Sequence, residues 1–286
     1  MSRGTGSWQG RHRATLAAVV ALAAVAGGVV LDVANGGGKP SAKDLIAADP
    51  PPALFADAQV APTAQAVASV RGQARQLLTT WVDAHGTTAD DQGFVRWVEG
   101  QFPPPPADLP AQMSTVKALA AQRTKVGVKA ATWLETHGKK DVWKLYAHDQ
   151  GERLDASHGK ALKKEEKAAL KLAKTLADAL GTKFGSSAPY VRQPTLRPDH
   201  KVAVGQKCPC SYPSRHAAAG AASETLLGHL QPAMDPEYLH EEAEIDYSRI
   251  YMAGHFPGDI TAGALLGDLV GDYLLVTRQG VDPASL

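Results

Sequence analysis

Two short segments toward the C-terminal end carry the residues best suited to chemistry. The first is Tyr212-Pro213-Ser214-Arg215-His216. The second is Ser248-Arg249-Ile250-Tyr251-Met252-Ala253-Gly254-His255-Phe256-Pro257-Gly258-Asp259. In the second, a fixed cation, an imidazole and a carboxylate fall at spacings suited to phosphoester chemistry. A carboxylate four residues after a histidine can hold the ring in one tautomer and make it more nucleophilic. An arginine close by offers a planar fork for phosphate oxygens. The first segment adds a second histidine, His216, beside a serine.

Helix ends must position these groups. Ser214 reads as the N-cap of an alanine-rich helix over 217–230, whose free backbone N–H groups and dipole favour an anion. Pro257 suits the first turn of a second helix running to about Val276, with His255 and Phe256 just before it. Asp259 then falls in that first turn, where it accepts a bond from a ring N–H of His255 or simply complements the helix dipole. The fold class expected is all-α, with both helix starts meeting at one pocket. Low aromatic content and abundant alanine agree with helix over strand.

The two segments resemble the second and third signature motifs of the type 2 phosphatidic acid phosphatase superfamily, which includes bacterial acid phosphatases, lipid phosphate phosphatases and vanadium-dependent haloperoxidases. The third motif, Ser-Arg-x5-His-x3-Asp, matches at Ser248, Arg249, His255 and Asp259. The second, usually Pro-Ser-Gly-His, matches at Pro213, Ser214 and His216, with Arg215 in place of glycine. The first motif is Lys-x6-Arg-Pro. Here Arg197-Pro198 supplies its ending, while Tyr190 occupies the lysine position and Arg192 or the more distant Lys183 are stand-ins. The likeness covers about residues 183–275.

The resemblance implies a helical bundle of the acid phosphatase/haloperoxidase type, of the soluble exported branch. It implies an exported, metal-independent phosphomonoesterase that works through a phosphohistidine. His255 is the expected nucleophile, Asp259 its orienter, and His216 the general acid and then base. Arg197, Arg249, Ser214, Arg215 and Arg192 are the expected phosphate-binding set. Arg215 either crowds the pocket or adds a guanidinium. No cofactor is implied, except vanadate if the chain is a haloperoxidase; a third alternative is a phosphate-binding relative with impaired turnover. The expected partner is a small-molecule or lipid phosphate ester.

The rest of the 286-residue chain sets bounds. A net charge of +1 gives no bias toward nucleic acid or anionic membranes. Arg11, His12 and Arg13 precede an uncharged run from Ala14 to Leu31, so residues 1–34 read as a signal peptide or an N-terminal membrane anchor, with the remainder extracytoplasmic. Membrane contact is expected only there, because Asp259, Asp268 and Asp272 interrupt the last apolar region. Residues 35–60, rich in glycine and proline, read as a flexible linker before a helical domain at 61–286. Helices are expected near 61–82, 93–99, 113–136 and 160–180, the last stopped by Gly181. The run Lys163 to Lys167 reads as a solvated face, and His240 to Glu244 as a solvated connection. His148, Asp149, Asp155 and His158 show no compact metal-ligand spacing, so no metal is expected. Cys208 and Cys210 are either reduced thiols or a labile disulfide.

Overall fold

A computed structural model describes residues 39–198 and 211–286. Residues 1–34, read above as a signal peptide or anchor, and both cysteines lie outside the described residues. The chain divides into two compact units, Met1–Pro50 and Pro51–Leu286. The first holds α1 (Ala42–Ala48), opened by a capping box in which Ser41 accepts from the Asp44 N–H and Asp44 accepts in return.

The second unit contains α2 (Asp57–Ala68), α3 (Arg71–His85), α4 (Asp91–Gln101), α5 (Leu109–Ala121), α6 (Lys125–His137), α7 (Asp141–Arg153), α8 (Ala156–Phe184), the short α9 (Pro189–Arg192), α10 (Arg215–Leu230), α11 (Asp235–Tyr251) and α12 (Pro257–Gln279). Helix dominates and no extended strand occurs among the described residues, as the all-α expectation required. The reading of 35–60 as linker needs correction. That stretch holds α1 and the start of α2, and α2 buries Val60, Thr63 and Val67.

Four other expectations change, each for a local reason. The helix expected over 113–136 is two helices, because Thr124 leaves helical geometry to cap α6, its hydroxyl accepting from the Gly127 N–H at 3.0 Å. Gly181 does not stop α8. It is buried inside the helix, and Gly185 ends it in the left-handed region at φ 63°. Glu166, within the lysine-rich run, is buried and accepts from the Ser223 hydroxyl at 2.7 Å. Glu241, Glu242 and Glu244 are buried as well, because 235–251 forms one helix between neighbours and not a solvated connection.

Helix α12 is the centre of this unit. It is 23 residues long with a mean hydropathy of 1.4, enough by length and composition to cross a membrane despite its aspartates. It is instead buried nearly all round, as expected of a core helix. Leu265, Leu266, Leu269 and Tyr273 on it pack with Leu78 and Trp81 of α3, Phe94 of α4, Leu176 and Leu180 of α8, and Leu226 of α10. A second cluster joins Val67, Val116, Tyr190, Leu196, Ala217, Ile250, Phe256 and Ile260. It underlies the segments that carry the motifs.

The most extensive helix pair is α10 on α12. Gly263, Gly267 and Gly271 recur every four residues and so form one stripe. A methyl group at Gly263 would lie 2.6 Å from the Ala217 Cβ and the Ser214 carbonyl. At Gly267 it would lie 2.6 Å from the Ala218 carbonyl and the Ala221 Cβ. Small residues on both sides therefore let the two helices nearly touch backbone to backbone.

Candidate active site

That close approach brings the two motif-bearing helix starts together. The Ser214 N–H donates to the Asp259 carbonyl at 2.9 Å, joining the N-terminus of α10 to the first turn of α12. Ser214 is the N-cap, as its type predicts, with its hydroxyl accepting from the Ala217 N–H at 3.3 Å.

The loop between α11 and α12 folds back on Arg249. The N–H groups of Gly254 and His255 donate to the Arg249 carbonyl at 2.9 and 3.3 Å. Ala253 sits at φ 56°, a left-handed conformation that costs a non-glycine residue about 1 kcal/mol or more. Its carbonyl accepts from the Tyr190 N–H at 3.2 Å, which ties α9 to this loop. Gly254 lets the guanidinium close in, since a methyl there would lie 3.1 Å from Arg249 Nη2.

His255 donates from Nδ1 to the Ser211 carbonyl at 2.8 Å. A carbonyl only accepts, so this bond fixes the tautomer and leaves Nε2 with its lone pair. The residue expected in this role is Asp259. Its Oδ2 stands 3.9 Å from Nδ1, in ion-pair range but beyond a hydrogen bond, and instead accepts from the Phe256 N–H at 2.8 Å. Asp259 thus closes the start of α12, while the backbone of Ser211 orients the ring. Burial pushes the Asp259 carboxyl up to about 6 against the opposing effects of the Phe256 N–H, the Ser211 hydroxyl and Arg192.

His216, also buried, places Nε2 2.9 Å from the Glu135 carbonyl, so Nε2 carries the proton and Nδ1 is the acceptor. Burial first, and the Arg249 charge second, push His255 down to about 4 and His216 well below its ordinary range. Both rings are therefore neutral in the free site at pH 7, and His216 lies close enough to feel any charge on His255.

Arg197 and Arg249 come together as expected, and Glu135 of α6 bridges them. Its Oε1 is 3.1 Å from Arg249 Nη2 and its Oε2 is 3.3 Å from Arg197 Nη2. Burial alone would raise the Glu135 carboxyl, but Arg249 and Arg197 outweigh it and hold the pKa below the usual value. Arg197 also lies over the Tyr190 ring, 5.6 Å from its centroid. The Nε groups of Arg197 and Arg249 are buried with no partner among the described residues. Arg123, in the α5–α6 turn, fastens the assembly. Its Nε donates to the Tyr251 carbonyl at 2.6 Å and its Nη1 to the Leu196 carbonyl, tying the ends of two motifs.

The remaining candidates sit farther out. Arg192 is exposed, donates to the Ser187 carbonyl at 3.3 Å and lies 6.0 Å from the centroid of the Phe256 ring. Its side chain is on the Asp259 side and does not join the Glu135-bridged pair. Lys183 is turned to the Glu99 carbonyl. Arg215 is half-exposed and pairs with Asp178 of α8 at 3.2 Å, so it lies at the rim and does not crowd the interior. On α7, ligand atoms of His148, Asp149 and Glu152 do lie within 4.8 Å of one another, closer than the spacing suggested. Both ring nitrogens already face these carboxylates, Nδ1 at 3.3 Å from Asp149 and Nε2 at 3.5 Å from Glu152.

Sequence reasoning missed Ser211 and Glu135. Ser211 acts through its backbone, which no side-chain pattern reveals. Glu135 stands well before the motifs in an ordinary amphipathic helix, where nothing in the sequence sets it apart. The chain matches no family model and no curated protein.

Proposed function

We propose that this chain is an exported phosphomonoesterase that works through a phosphohistidine on His255, with positive charge supplied by arginines. One observation carries the reading. Two neutral imidazoles, His216 buried and His255 partly exposed, both lie in the field of the Arg249 charge, and His255 presents an unprotonated Nε2.

The chemistry follows from these groups. A phosphate dianion binds Arg197 and Arg249 and the free N–H groups at the start of α10. Its charge offsets Arg249 and raises the proton affinity of His216, whose Nδ1 takes a proton from solvent so that the ring enters the reaction as an acid. Nε2 of His255 attacks phosphorus as the ester P–O bond breaks, and its electron pair leaves with the alcohol oxygen. His216 gives that oxygen its proton. In the second step neutral His216 takes a proton from water, whose oxygen attacks phosphorus. The N–P bond breaks, phosphate leaves and His255 regains its lone pair. Ser211 keeps the ring aligned through both steps, and the guanidinium groups stabilise charge on the equatorial oxygens.

The test is hydrolysis of p-nitrophenyl phosphate by the full chain in chelator. Turnover by the wild type, its loss in His255→Ala, and a 32P label trapped on histidine in acid-sensitive form are the expected results. Equal turnover by His255→Ala rules the mechanism out. Bromide oxidation that requires added vanadate and peroxide, without phosphatase turnover, replaces it with the haloperoxidase chemistry.

A further inference from the structure

The arginine pair of the candidate site already holds an anion, and the chain itself supplies it. Glu135 places one carboxylate oxygen 3.1 Å from Arg249 Nη2 and the other 3.3 Å from Arg197 Nη2. A guanidinium meets carboxylate and phosphate oxygens through the same planar fork, so Glu135 takes up donors that two phosphate oxygens would use. Both arginines are buried and Arg249 feels the repulsion of Arg197, so the pair needs an anion between them. The contact is nevertheless incomplete. Each guanidinium keeps a buried Nε with no partner among the described residues, and one carboxylate cancels only one of the two charges. The Glu135 side chain is 31% exposed, so rotation about its own bonds releases the carboxylate to water. Such a rotation leaves the backbone in place, and with it the bond between His216 Nε2 and the Glu135 carbonyl.

We propose that Glu135 is a built-in competitor for the phosphate position, which a dianion displaces and a monoanion does not. This rests on the phosphatase reading above and adds the residue that selects the ligand's charge. Glu135 is ionised in the free site, since the two arginines hold its pKa below the usual value. A carboxylate tethered on α6 presents itself to the arginines at an effective concentration of about millimolar or more. A free anion of the same charge, such as a phosphodiester, has to overcome that concentration with no electrostatic advantage. A phosphomonoester dianion carries twice the charge and three non-bridging oxygens. It neutralises both guanidinium groups and offers acceptors to more of their N–H groups than a carboxylate does.

Calorimetry on the full chain at pH 8 tests this, with inorganic phosphate as the dianion and dimethyl phosphate as the monoanion. Glu135→Gln removes the competing charge and nearly keeps the shape. It is expected to bind phosphate on the order of tenfold tighter than wild type, and to gain dimethyl phosphate binding that wild type lacks. Its Tm without anion should fall below that of wild type, because the arginines lose their counter-charge, and added phosphate should restore it. Glu152→Gln, the same charge change on an exposed residue of α7 that faces His148, should alter none of these. If Glu135→Gln does not fold, Glu135→Asp decides. Its carboxylate is one methylene shorter and spans the pair less well, so phosphate binding should tighten in the same direction. Phosphate binding by the variant equal to or weaker than that of wild type overturns the proposal and makes Glu135 a holder of the arginines, with the phosphatase reading intact. Dimethyl phosphate bound equally by wild type and variant overturns it as well. Absence of phosphate binding in wild type and variants alike overturns the phosphatase reading together with this one.

Discussion

Replacing Gly267 with alanine separates two physical effects that oppose each other. In any helix interior the change gains about 1 kcal/mol, because alanine loses less backbone entropy than glycine. At Gly267 the new methyl would lie 2.6 Å from the Ala218 carbonyl, 2.6 Å from the Ala221 Cβ and 2.7 Å from the Ala222 N. None of these atoms is the end of a flexible side chain, so relief requires α10 and α12 to move apart. Overpacking of that kind costs about 1–3 kcal/mol, and rigid neighbours place this case at the upper end. The net expectation is a loss of about 2 kcal/mol, or several degrees in Tm for a domain of this size. Gly72 is the control. It lies in α3, where an added methyl would meet nothing within 4 Å, so Gly72→Ala should gain up to about 1 kcal/mol. Urea unfolding followed by far-UV circular dichroism measures both. A Gly267→Ala variant as stable as Gly72→Ala would refute the claim that helix contact at this stripe sets the packing.

Other expectations concern the site and its surroundings. Gly263→Ala, whose methyl meets the Ser214 carbonyl at 2.6 Å, should lower turnover of p-nitrophenyl phosphate more than it lowers Tm, since it shifts the helix that carries His216. Ser214→Ala should cost about 1 kcal/mol in urea unfolding through loss of the α10 cap. Burial pushes Glu166 up to about 8 from an ordinary 4.5, so between those values the folded chain keeps a proton that the unfolded chain releases. Its contribution to stability therefore falls as pH rises through that window, and Glu166→Gln should gain about 3 kcal/mol relative to wild type on going from pH 5 to pH 8. His255 has the opposite sign. With its pKa at about 4 against an ordinary 6.5, the unfolded chain takes up a proton first, and stability is lost as pH falls through that range. His255→Asn should flatten that acid limb, and an unchanged slope would mean the ring is not held neutral.

Local features are legible along the chain. Serine at 214 and proline at 257 mark helix starts because a side-chain acceptor and a fixed φ suit those positions in any surroundings. The alanine content of 217–230 reads as helix, and the order of His216, Arg249 and His255 is visible as a pattern of functional groups. Which of these groups meet is settled only by packing. Asp259 stands at the right spacing from His255, yet the Ser211 carbonyl reaches the ring first, since a loop far away in the chain closes over it. Glu135 enters the site from α6, more than a hundred residues before Arg249, because α11 lays Tyr251 against the turn that starts α6. Buried Glu166 and Glu242 look like surface residues when read along the chain, and only packing of neighbouring helices removes them from water. Spacing along a chain limits what can be close within a turn of helix. Contacts between helices depend on which faces pack, and that choice belongs to the whole core.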